Sequence, residues 1–306
     1  AGGDVEMFGG LSNGATGGAI SIATGYGKTT SSGTLTIQSV NAGTAGVSGG
    51  LSFRSGTTSA GSSGQIAFTS GAATNGKGGD ISLAVGSGNT GIGGDISASA
   101  GSSTAATGGS ISLSTGAGRD TSSGSVVVQT VNAGTSGVSG SLTFSTGTAS
   151  DGTSGIISFQ TGTATNGKGG DFSLVVGSGT DYSGGDLTMV AGETTADSSL
   201  GGAVGITAGL GSSTTGASGG DISLTAGQGN GASGGSLSLS TGNGVAKSSG
   251  FIKIQTVDAG VSGISGSLSF SSGTTSKGAS GIVSIATGLA THGRGGNIVL
   301  SVGKSK

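Results

Sequence analysis

A unit of about fifteen residues, written twenty times with no linker between copies, limits what this 306-residue protein can fold into more than any other feature. Aligned on the Gly-Gly or Ser-Gly that precedes each alternating stretch, the units start at Gly2, Gly17, Ser32, Ser48, Ser63, Gly78, Gly93, Gly108, Ser123, Ser139, Ser154, Gly169, Gly184, Gly201, Gly219, Gly234, Ser249, Ser265, Ser280 and Gly295. Most intervals are fifteen, three are sixteen, and two near the middle are seventeen and eighteen. One such unit is too short to bury apolar side chains by itself, so cover for them has to come from neighbours.

Inside each unit the hydrophobic period is two. In GGDISLAVG (Gly78–Gly86), Ile81 and Leu83 point one way while Asp80 and Ser82 point the other. The remainder of a unit, such as GAGRDTSSG (Gly116–Gly124), is rich in residues that form turns. The pattern predicts an all-β fold: a parallel β-solenoid, or β-helix, of about 20 coils at about 15 residues per coil. The alternative is about 30 residues per coil, with two sheets facing each other. The expected core rows are Ile81, Leu83, Ile96, Ile111, Leu113, Leu142, Phe144, Ile157, Phe159, Phe172, Leu174, Ile222, Leu224, Leu237, Leu239, Leu268 and Phe270. The pairs Leu51/Phe53 and Ile66/Phe68 follow the same alternation.

A longer period overlies the short one. TLTIQSVNAGTAGVSG, SVVVQTVNAGTSGVSG and FIKIQTVDAGVSGISG begin at Thr34, Ser125 and Phe251, and the same companions follow each. The whole sequence, 1–306, therefore reads as a single continuous repeat domain. Its cassettes cover approximately 32–122, 123–248 and 249–306, with 1–31 closing a preceding cassette.

Composition removes several classes. Glycine is 74 of 306 residues, yet there is no Pro and no three-residue period, so collagen is excluded. Disorder goes with high net charge and few aliphatics; here charged residues are 8% and aliphatics recur in fixed places. A net charge of −2 argues against nucleic acid, which demands a basic surface. No apolar run is long enough to span a membrane, and no charged, then apolar, leader opens the sequence. With no Cys there are no disulfides, and the redox compartment stays open.

Catalytic constellations are thin, and the protein is not expected to be an enzyme. His292 is the only histidine; it matches Asn75 and Asn166 of the sister units, which is a turn position. Acidic residues at the third unit position are the weak metal candidates: Asp80 and Asp95, and Asp171 and Asp186, lie on consecutive units. A Ca²⁺ ion between such carboxylates is conceivable, but the nonapeptide calcium pattern is absent, and no cofactor is expected. Ser and Thr at the fifth position form a hydroxyl face, interrupted by Ala67, Val127, Gly205 and Lys253. That face supports an alternative function of binding ice, mineral or polysaccharide. The exposed hydroxyls also offer acceptors for O-glycans.

The motifs GGDISL, VNAGTSGVSG (Val131–Gly140) and GTATNGKGGD (Gly162–Asp171) resemble those of Gly/Ser/Thr-rich repeat proteins of marine algae and related protists, stramenopiles such as diatoms. The resemblance covers the full sequence and implies a secreted or cell-surface fibrous protein. Neither end reads as a cap, so the expectation is a self-partnered structural protein. It would polymerise head to tail, with lateral bundling, into an extracellular filament, flagellar hair or cell-wall fibre.

Overall fold

The structure, a computed structural model, describes residues 3–304. Contacts divide the protein into two units, Ala1–Ile157 and Ser158–Lys306. Within each, segments without regular secondary structure alternate with loops that bend sharply over about three residues, as at 13–15, 74–76 and 165–167.

The expectation of a β-solenoid or β-helix is overturned: among the described residues there is no strand, no sheet and no helix. The geometry of the junctions between repeats accounts for this. A ladder needs successive backbone N–H···O bonds between segments about 4.8 Å apart. Here, at nine of the junctions among the described residues, a single backbone bond joins the second-position glycine of one repeat to the ninth position of the repeat before it. Gly18 N–H donates to Gly10 O at 2.8 Å, Gly109 to Gly101 at 2.8 Å, and Gly235 to Gly227 at 2.9 Å. At most junctions a side chain lies beside the second-position glycine. A Cβ built on Gly33 would lie 3.4 Å from Thr24 Cβ, one on Gly79 3.3 Å from Ser70 Cβ, and one on Gly170 3.3 Å from Thr161 Cβ. Glycine and serine, which dominate the segments, also pack poorly on a pleated surface and cost more entropy to order.

The second position is glycine in all twenty repeats, whereas the first is Gly or Ser and the ninth becomes Val40, Val131 and Val257 in the three sixteen-residue units. The short eighth-position side chain, as in Thr24, Ser70, Ala100 and Val85, rests against that glycine, which is why no Cβ is found there.

Two loop designs recur among the repeats. In the Gly-x-Gly loops the second glycine lies under the returning backbone: a Cβ on Gly118 would run into the carbonyl oxygens of Thr121 and Ser122. The other design places a glycine in the left-handed region, with φ of 101° at Gly61, 112° at Gly152 and 121° at Gly278, at equivalent places in the three cassettes.

None of the described residues is buried. The side chains of the apolar rows are exposed throughout, from Ile157 at 48% to Leu113 at 79%. The accessible surface is 29912 Å² for a protein of 27.8 kDa. A folded monomer of that mass exposes about 11,000 Å² and a fully unfolded one about 40,000 Å². No helix among the described residues is long and apolar enough to cross a membrane.

Candidate functional site: an uncovered apolar row

Although consecutive repeats share no ladder, the closing loops hold their apolar positions in sequence. In the first unit, the sixth-position rings Phe53 and Phe68 meet edge to face, with centroids 6.1 Å apart and planes at 89°. This is a favourable arrangement for two quadrupoles. The next repeat adds Ile81 and Leu83, and with Ser82 these residues line an open groove of about 410 Å³. Three successive repeats thus contribute to one apolar surface. In the second unit, Phe159 and Phe172 repeat the theme with centroids 6.3 Å apart and planes tilted by 34°.

Four of the residues placed in the rows from sequence, Ile81, Leu83, Phe159 and Phe172, come together with neighbours in this way. Phe53 and Phe68, recognised in the alternation but not assigned to the rows, form the centre of the groove. Ser82 lines the same groove as the residues on either side of it, so the two-faced alternation of a strand is not maintained.

The acidic candidates separate into two kinds. Lys77 Nζ lies 2.8 Å from Asp80 Oδ2. Lys168 Nζ spans both oxygens of Asp171, at 2.7 and 2.8 Å. An ammonium group, not a vacant carboxylate, is what those aspartates face. Asp95 and Asp186 form no ion pair among the described residues. No three His, Asp or Glu side chains among the described residues gather into a group able to hold a metal. The lysine partners were legible as a three-residue spacing, in NGKGGD, that recurs at 75–80 and 166–171. His292 occupies a bend at 291–293, the counterpart of the bends that carry Asn75 and Asn166.

The surface has little chemistry beyond this. Among the described residues, besides the ring contacts, these lysine–aspartate pairs and a few local hydroxyl and amide bonds, such as Ser12 Oγ accepting from Ala15 N–H at 3.0 Å, tie side chains down. Comparison with protein-family models, with curated proteins and with solved structures finds no match.

Proposed function

We propose that this is a non-enzymatic structural protein that associates with copies of itself into an extracellular filament, flagellar hair or cell-wall fibre. The observation that carries the reading is the regular apolar row, repeated along the sequence and uncovered among the described residues. Two such side chains per repeat, each about half to four-fifths exposed, leave on the order of 2,500 Å² of apolar surface in water. A standard protein interface needs only about 800 Å² from each partner. Exposed apolar surface of this kind, contiguous over three repeats at Phe53, Phe68, Ile81 and Leu83, favours an association surface.

Another copy of the protein is the natural cover. It presents the same side chains at the same interval, so contacts made at one repeat recur at the next. With charged residues at 8% and a net charge of −2, copies approach with little repulsion. The extracellular setting rests on the resemblance to algal surface proteins. Head-to-tail growth and O-glycans are not needed for this reading.

Sedimentation velocity over a dilution series of the purified full-length protein, with negative-stain microscopy of the same samples, tests it. The expected result is concentration-dependent assembly into uniform filaments. A monodisperse monomer at every concentration refutes it.

A further inference from the structure

Five Asn-Gly pairs occur in the sequence: Asn13–Gly14, Asn75–Gly76, Asn166–Gly167, Asn230–Gly231 and Asn243–Gly244. Such a pair is chemically special because glycine has no Cβ to keep its backbone nitrogen away from the preceding side-chain amide. Three of the five sit in loops held by a further contact. Ala15 N–H donates to Ser12 Oγ across Asn13–Gly14 at 3.0 Å. Asn230 Oδ1 accepts from Gln228 Nε2 at 3.0 Å. Gly244 lies beneath the carbonyl oxygens of Lys247 and Ser248, inside a closed Gly-x-Gly loop.

Asn75 and Asn166 have no such restraint. Both sit in exposed bends, at 74–76 and 165–167. Among the described residues, neither the asparagine amide nor the following glycine N–H has a hydrogen-bond partner. Space beside the glycines is open: nothing lies within 4 Å of a Cβ position on Gly76, and only Ala164 Cβ, at 3.9 Å, near that on Gly167. The backbone is therefore free to rotate its nitrogen toward the amide carbon of the asparagine.

We propose that Asn75 and Asn166 are sites of spontaneous deamidation, which converts two neutral loops into acidic ones without an enzyme. The Gly76 nitrogen, having lost its proton to solvent, attacks Asn75 Cγ. A new N–Cγ bond closes a five-membered imide, and the Cγ–Nδ2 bond breaks. Ammonia leaves, taking up a proton from water. Water then adds to one of the two imide carbonyls and opens the ring, leaving aspartate or, through the other carbonyl, isoaspartate. No oxidant or reductant takes part. The new carboxylate appears two residues before Lys77, or before Lys168, and competes for an ammonium group that now pairs with Asp80 or Asp171. The third cassette holds His292 at this position and cannot follow the same course. It is an internal control.

The test is to hold the purified full-length protein in mildly alkaline buffer and follow it by peptide mapping with mass spectrometry, separating aspartyl from isoaspartyl forms. Asn75 and Asn166 peptides should convert several-fold faster than those holding Asn13, Asn230 and Asn243, and isoelectric focusing should show added acidic bands. Gly76→Ala and Gly167→Ala should each slow conversion at the adjacent asparagine alone. Equal rates at all five pairs, or unchanged rates in the two glycine variants, overturn the proposal.

Discussion

Replacing Phe68 with serine should weaken self-association without altering the repeat. Phe68 is 67% exposed, and its ring meets Phe53, itself 56% exposed, at 6.1 Å. The surface of a phenylalanine is about 200 Å², so about 130 Å² of Phe68 is available for burial against another copy. At about 25 cal/mol per Å² that burial is worth about 3 kcal/mol. Immobilising the ring takes back about 0.5 to 1 kcal/mol, leaving about 2 to 3 kcal/mol per copy added. Since each 1.4 kcal/mol is tenfold, the critical concentration should rise by about 30- to 150-fold. Phe53→Ser should behave similarly. The double variant should lose less than the sum, because the two rings touch and their contributions are coupled. Pelleting of assembled material across a concentration series reads the critical concentration directly. The serine introduces no clash, since the ring it replaces lies at the surface. A critical concentration unchanged in both single variants would refute the argument that this row drives assembly.

Three further outcomes follow from the same geometry. Gly118→Ala should prevent closure of its loop, because the added methyl meets backbone carbonyls; the Gly124 N–H bond to Gly116 O, 3.1 Å, should be lost and exchange of that amide accelerate. Gly116→Ala, with nothing within 4 Å of the added carbon, should leave the amide unchanged and serves as its control. Far-ultraviolet circular dichroism of the dilute protein should show neither a helical nor a strand signature, and a strong strand minimum would contradict the coil described above. Sulfate should lower the critical concentration by strengthening apolar burial, while moderate sodium chloride should change it little, since so few charges are involved.

The spacing of the repeats and the glycine at their second position are properties of the sequence alone and could be read from it. Period-two alternation over five residues, as in Asp80–Ala84, points to a strand, and none forms there. It does not report a partner. Whether two segments share a ladder depends on the distance at which the loops bring them together, which the alternation does not encode. The lysine–aspartate pairs were legible because they are local, three residues apart. The groove at Phe53, Phe68 and Ile81 was not, because it depends on how three loops close in succession.

The two irregular repeats identify which feature keeps the period. In the seventeen-residue unit Gly202 N–H still reaches Gly192 O at 2.9 Å, and in the eighteen-residue unit Gly220 N–H reaches Gly209 O at 2.9 Å. Their loops carry two and three more residues than the eight-residue interval of Gly18 and Gly10, yet the junction forms unchanged. Added loop length costs little entropy, so an insertion is absorbed outside the junction and the next segment starts from the same contact. A strand ladder would tolerate such insertions too, but it would not require glycine at one position in every repeat while allowing serine or valine at its neighbours. At most junctions a small eighth-position side chain lies beside that bare α-carbon. Periodicity in this protein is thus maintained junction by junction, and each junction re-presents the same apolar side chains to whatever covers them. Lengthening the sequence by another cassette adds exposed apolar side chains in proportion, which is what the proposed self-association would use.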